Sequence, residues 1–327
     1  MKIYDDQYIV LTGGAGFIGS GVLQVLNERG LDNIVIVDEL GTDDKWKNLL
    51  GKNFVEIVSP FALFDWLEGR ADEIEAFIHL GACSSTVERD ADYLYHNNTE
   101  YSQGLAEYAL DHGHRFIYAS SAATYGSGEN GFDDNESELE KLRPLNMYGY
   151  SKHLFDLWLK RLGVLDKVTG LKYFNVYGPN EGHKGRMASA ICHFVRQIQQ
   201  EGKVKLFKSS EPEKFENGGQ VRDFIYVKDA ARITADLLDR DVFGLYNLGT
   251  GTPHTWNDLA ASVFKGLDKP LKIEYVDMPQ DLLGKYQNYT KAEMIKLESA
   301  LGDLQFTPFD GAVVEYVRDY LVKGETW

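Results

Sequence analysis

The chain has 327 residues and a formal net charge of −16, with 43% hydrophobic and 26% charged residues. That length supports a large core and two domains, with a composition typical of a globular enzyme. The negative balance excludes a nucleic-acid-binding surface, no apolar run is long enough to span a bilayer, and two cysteines cannot form a disulfide framework.

The N-terminus enters a strand almost at once, which predicts no signal peptide. With only Cys83 and Cys192, a reducing cytoplasm is the expected setting. The runs "YIVLTG", "NIVIVD", "FVEIV", "AFIHLGA", "RFIYASSA" and "LKYFNVYG" read as buried strands separated mostly by helix-length segments. The pattern predicts an α/β fold with a doubly wound parallel (Rossmann) sheet over 1–178. A second, smaller α/β substrate domain is expected mainly in 179–327, with about 222–252 returning to the first. Helix-like "ASAICHFVRQIQQ", strand-like "KVKLF" and "RDFIYVKDAARITADLL" make up much of that part. Residues 209–220 lack apolar periodicity, so they are expected to form a mobile loop.

After the first strand, "VLTGGAGFIGS" opens a helix, with Gly13, Gly16 and Gly19 at GxxGxxG spacing around Phe17 and Ile18. Such glycines allow a tight turn, close backbone approach to a pyrophosphate, and close helix–strand packing; the helix N-terminus supplies amides to the phosphates. This is a dinucleotide cradle. Asp38 ends the second strand and is followed by Glu39; a carboxylate there accepts ribose hydroxyls and favours NAD, whereas nearby Lys45 suits the 2′-phosphate of NADP. The two cues conflict. At the end of the fourth strand, "LGACS" places Leu80, Gly81, Ala82, Cys83 and Ser84 along the cofactor, with Cys83 read as a small packing residue.

The fifth strand ends at Ser120 and Ser121, where open α/β sheets bind ligands. Tyr148 and Lys152 follow at YxxxK spacing, one helical turn apart on one face. A phenol with a pKa of about 10 is a poor base at neutral pH. A neighbouring ammonium and a positive nicotinamide would favour its ionised form. Ser121 is positioned to orient a substrate hydroxyl, and Lys152 reaches the nicotinamide ribose.

Across almost the whole length, "TGGAGFIG", "HLGA", "SSAATYG", "YGYSK", "KYFNVYGP" and "RDFIYVKDAA" resemble, in order, the extended short-chain dehydrogenase/reductase family. The resemblance implies an NAD(P)-dependent enzyme acting on a nucleotide-linked sugar. The blocks "GACSST", "YASSAATYG", "PLNMYGYSK" and "YFNVYGPNEGHKGRMAS" are similar to the branch that epimerises C6 of ADP-linked heptoses. The last block is the most specific. It implies conversion of the D-glycero to the L-glycero heptose through a 6-keto intermediate, in lipopolysaccharide inner-core precursor synthesis. NADP is the implied cofactor with NAD as the alternative, and the implied assembly is a homo-oligomer, a pentamer in this branch. No metal, nucleic acid or membrane partner is expected.

Re-reducing one ketone from both faces beside a stationary nicotinamide requires a proton-handling group on each side. Tyr148 serves one face, and Lys184, on the glycine-rich "EGHKGR" segment, is the candidate for the other and for cofactor contact. The alternative is a lysine that only binds phosphate or cofactor. By motif match, Asn97 and Val176 are assigned to the cofactor. Asn175, His193, Phe207, Lys208, Ser209, Ser210, Arg222 and Tyr286 are assigned to the substrate with Ser121, Phe207 being equally a core aromatic. Arg186 departs from the branch pattern, where a small hydroxyl residue is common. The competing readings are another nucleotide-sugar epimerase, dehydratase or reductase, and a dinucleotide-sensing protein without catalysis.

Overall fold

The computed structural model describes residues 7–279 and 287–327. Strands β1 (Tyr8–Thr12), β2 (Ile34–Val37), β3 (Glu56–Val58), β4 (Ile74–His79), β5 (Arg115–Ser121) and β6 (Thr169–Tyr173) form one sheet. All residues of β2 and β4 are buried, as expected for parallel strands covered by helices on both faces. Next come β7 (Asn175–Tyr177), β8 (Val204–Phe207), β9 (Val221–Arg222), β10 (Phe224–Tyr226), β11 (Gly244–Leu248), β12 (His254–Thr255) and β13 (Ile273–Val276). The sheet order is β11-β6-β5-β4-β1-β2-β3, with every pairing parallel. The order reverses between β1 and β4, and the crevice at their carboxyl ends is where such sheets bind ligands.

Helices α1 (Phe17–Glu28), α2 (Tyr101–His112) and α3 (Met147–Leu162) flank the sheet. A Cβ on Gly21 of α1 would lie 3.4 Å from that of Ala231, in helix α5 (Val227–Asp236). A second apolar cluster joins α4 (Ala190–Glu201), β8, β10, α6 (Trp256–Gly266) and α7 (Phe309–Glu315). Phe17, at the start of α1, belongs to that second cluster, so the phosphate loop sits at the seam of the two cores.

The run "LKYFNVYG" is two strands rather than one. The chain leaves the main sheet after Tyr173, where the Phe174 amide bonds Leu248, and β7 pairs with β10 instead. In the stretch 209–220, Ser209 N donates to Asn217 Oδ1, and Gly218 N to Phe207 O. Among the described residues, no helix is long and apolar enough to cross a membrane, and no cluster of metal-ligating side chains is found.

Candidate active site

Gly13 has a left-handed φ of +70°, and a Cβ there would lie 2.7 Å from the Gly81 amide nitrogen. A Cβ on Gly19 would fall 2.0 Å from the Gly13 carbonyl oxygen, so only glycine lets α1 begin this close to β1. The N-cap Gly16 has no side-chain cap, and the first turn of α1 carries no acidic residue. Its amides are therefore available to a pyrophosphate, and Phe17, Ile18, Leu80, Gly81, Ala82 and Ser84 line the same cleft. The donor set fits a dinucleotide.

Asp38 is committed on both oxygens. Oδ2 accepts the Ala15 amide at 2.9 Å, and Oδ1 accepts the Lys45 ammonium at 2.8 Å. The two cues that conflict in the sequence thus form one ion pair at the rim of the cradle. A groove beyond Asp38 runs past Glu39, Cys83 and Asn97. It is completed by Pro60, Phe61, Tyr93, His96 and Tyr101, which sequence reasoning missed. Phe61 is 90% exposed, a residue no buried-strand pattern would single out. Asn97 and fully buried Asn98 sit on a π-helical turn, Tyr95–Glu100, a rare form that aims one toward the groove and the other inward.

Asn146 caps α3 by accepting the Gly149 amide at 2.8 Å. Tyr148 and Lys152 both line the cleft, and Asp156 follows one turn on. Ser121 Oγ accepts the Ala123 amide at 3.1 Å, leaving its proton to donate elsewhere. Burial raises the Tyr148 phenol above its ordinary value, and the Ser121 hydroxyl opposes that rise. Lys152 is 4% exposed, and burial pulls its ammonium down to about 8 against an opposing pull from Asp156. Beneath it lies a wholly buried pair, Lys172 Nζ to Asp156 Oδ2 at 2.7 Å, joined by Ser120 Oγ at 2.7 Å and Tyr118 OH at 3.0 Å. Sequence reasoning did not single out Lys172, which lies inside the apolar strand β6.

Lys184 lies on a 3₁₀ turn, Gly182–Met187, and lines the cleft with Tyr148, Lys152 and Gly13. Its ammonium sits 5.3 Å from the centroid of the Phe17 ring. Burial lowers its pKa, while Glu181 and Cys192 act in the opposite sense. His183 lies in the same cleft, with Nδ1 3.4 Å from Asn48 Nδ2.

Asn175, His193, Phe207, Lys208, Ser209, Ser210 and Arg222, assigned to the sugar nucleotide, are not among the residues lining that cleft, and neither is Val176, assigned to the cofactor. Asn175 is exposed, with its amide bonded to Asp223 O, and Val176 packs against both apolar clusters. His193 Nε2 lies 3.2 Å from the backbone carbonyl oxygen of Arg186. Phe207 ends β8 and is half-buried, which leaves both readings of its ring open. Lys208 Nζ bonds Asp277, Ser209 opens the stretch 209–220, and Ser210 Oγ lies 3.5 Å from Asn288 Oδ1. Arg222 is buried, with its guanidinium over the Trp256 ring and Nη1 on Val221 O. Phe207, Lys208, Ser209, Ser210 and Arg222 belong to the β8–β9 region, while Asn175 is on β7 and His193 on α4; Tyr286 lies outside the described residues.

The sequence model of the NAD dependent epimerase/dehydratase family matches residues 9–249. The chain belongs to that family. A relative from Nitratidesulfovibrio vulgaris (strain DP4), named ADP-L-glycero-D-manno-heptose-6-epimerase, is 51% identical over 319 residues, covering 97% of this chain and 98% of the relative. One of the same name from Fusobacterium nucleatum subsp. nucleatum is 45% identical, covering 98% and 99%. The crystal structure of the Helicobacter pylori ADP-L-glycero-D-manno-heptose-6-epimerase superposes with a TM-score of 0.81 at 25% identity, over 96% of each chain. As a family member the protein is an enzyme of the isomerase class that uses a nicotinamide dinucleotide, and the cradle described above is built for one.

Proposed function

We propose that this enzyme inverts C6 of the heptose in ADP-D-glycero-D-manno-heptose, giving the L-glycero epimer through a transient 6-ketone. The observation that carries the reading is that Tyr148 and Lys184, from α3 and from the 3₁₀ turn after β7, line one cleft with the dinucleotide cradle. The names of the relatives supply the substrate class.

A nicotinamide dinucleotide held by the Gly13–Gly19 cradle, with Lys152 at its ribose, would supply the hydride acceptor and donor for C6. Ser121 orients the 6-hydroxyl. Tyr148, as the phenolate, takes the hydroxyl proton while the C6 hydride leaves, so the carbinol loses one proton and one hydride. Lys152 stands one turn away and favours the phenolate. The ketone then turns over, and Lys184 donates the proton to its oxygen as hydride returns. Burial makes that ammonium more acidic than a free lysine, which suits it to both directions of the reaction. We further propose NADP: Lys45 neutralises Asp38 and keeps donors for a 2′-phosphate. Residues about 222–252 and 1–178 would then form the cofactor domain, with the β8–β9 region gripping the ADP.

The test is turnover of ADP-D-glycero-D-manno-heptose in deuterated water, read by NMR. Product without deuterium at C6 is expected, because the hydride returns from the cofactor. Deuterium at C6 would replace this mechanism with abstraction of a carbon-bound proton.

A further inference from the structure

The segment 178–189 is the most distinctive in the sequence, and Lys184 accounts for only one of its residues. Glu181 is 1% exposed, yet among the described residues no cation pairs with it within salt-bridge distance. Its carboxylate is saturated instead by neutral donors from both ends of the segment. Oε2 accepts the Ser189 amide at 2.5 Å. Oε1 accepts Ser189 Oγ at 2.6 Å, Tyr316 OH at 2.9 Å and the Gly178 amide at 3.4 Å. The Glu181 carbonyl accepts the Lys184 amide at 3.0 Å. Next to it, buried Asn180 holds a left-handed φ of 75°. It donates to Ser20 Oγ at 3.0 Å in α1, and its carbonyl accepts Asn48 Nδ2 at 3.0 Å, the same nitrogen that bonds Ala15 O of the phosphate loop.

A buried carboxylate costs several kcal/mol unless donors meet it, so one placed here without a cation has a specific task. A carboxylate meets Ser189 N–H, Ser189 O–H and Tyr316 O–H as an acceptor on both oxygens, whereas an amide in its place would turn an NH₂ group toward one of these donors.

We infer that Glu181 is a positioning residue: its carboxylate clips the two ends of the 178–189 loop together and so holds Lys184 at the wall of the cleft opposite Tyr148. The segment is thus a braced arch whose feet are joined by Glu181 and anchored to the phosphate loop by Asn180, rather than a flexible hinge. This inference rests on the proposed role of Lys184, and its physical half stands apart from that role.

Glu181→Gln tests it, because the amide nitrogen must confront a donor. In the cofactor-bound enzyme, hydrogen exchange of the peptide spanning 178–189 should rise at least tenfold while exchange in β1 and β4 stays as in the wild type. The value of kcat should fall tenfold or more, with KM within threefold. Should that variant fail to fold, Tyr316→Phe removes one donor only and should loosen the same peptide by a smaller factor. Unchanged exchange in 178–189 in the variant that folds overturns the clip, whatever happens to turnover. Loosened exchange with kcat within twofold of wild type overturns the positioning role. If Lys184→Met also turns over normally, the reading of Lys184 fails separately, and the exchange result alone judges the clip.

Discussion

Lys152 should make the protein less stable than it could be. Its ammonium is almost fully buried, and burial takes it from 10.5 to about 8, with only the more distant Asp156 charge opposing. At neutral pH that difference is worth about 3 kcal/mol of destabilisation, since each pKa unit is about 1.4 kcal/mol. Lys152→Met keeps the length and apolar stem while removing the charge. The cofactor-free variant should therefore gain about 2–3 kcal/mol in urea unfolding and melt roughly 5 °C higher, while turnover falls at least a hundredfold. The sign follows from proton counting. Between pH 8 and 10.5 the unfolded wild type binds more protons than the folded one, so wild-type stability rises with pH there. The penalty is fully present below pH 8 and gone above 10.5, so the gap between variant and wild type should close across that window. A variant no more stable than wild type at pH 7, or a gap unchanged at pH 9.5, would refute the idea that burial is what tunes this lysine.

Three further outcomes are expected. Lys172→Met strands the Asp156 carboxylate with only hydroxyl partners and should cost about 3–5 kcal/mol in denaturant unfolding, much of it recovered by adding Asp156→Asn. Lys45→Ala should weaken NADP binding about tenfold to a hundredfold by calorimetry and change NAD binding less than threefold; equal losses for both would assign Lys45 to bracing Asp38 alone. His79 is held near 3 by burial and, secondarily, by Lys152, so acid should destabilise the fold as pH falls from 6.5 toward 3. The unfolding free energy should drop by about 2–3 kcal/mol between pH 7 and 4.5 on this account, and by less in His79→Gln.

The sheet, the phosphate cradle and the Tyr148–Lys152 pair were legible because each obeys a local rule: strand runs bounded by glycine, glycine spacing before a helix, and a repeat of four on one face. What escaped depends on contacts between distant segments. Phe61 lines the groove beside the phosphate cradle although it follows an unremarkable third strand, and no periodicity separates it from a surface residue. The π-helical turn that divides Asn97 from Asn98 leaves no trace in the composition of "YLYHNNTEYS". The division of "LKYFNVYG" into β6 and β7 depends on Leu248, which lies far downstream and captures the Phe174 amide. Lys172 and Glu181 were not singled out in the sequence, because what gives each its meaning is a partner in a distant segment.

Lys172 and its partner Asp156 make the floor of the site polar. An apolar floor beneath Lys152 would be at least as stable, since buried ion pairs seldom outperform packed hydrocarbon. Here Asp156 fixes three groups at once: Ser120 at the cleft, Tyr118 in the sheet and Lys172 from β6. A parallel chain runs under the cradle, where the Gly81 amide donates to Thr12 Oγ1, which contacts His79 Nδ1. His79 Nε2 contacts Ser102 Oγ, which donates to the Asn98 carbonyl. Because the last donor is assigned, Nε2 carries the imidazole proton and Nδ1 accepts from Thr12, so the ring is neutral with a single tautomer. Asn98 Nδ2 then bonds Ser151 Oγ at 3.0 Å, and Ser151 bonds the Tyr148 carbonyl at 2.7 Å. The walls that carry Tyr148 and the glycine cradle are therefore one continuous hydrogen-bonded body. In the proposed epimerisation Tyr148 must stay at a fixed separation from the cofactor while the substrate turns, and the buried polar network holds that wall to the cradle at a cost in stability that hydrocarbon would not incur.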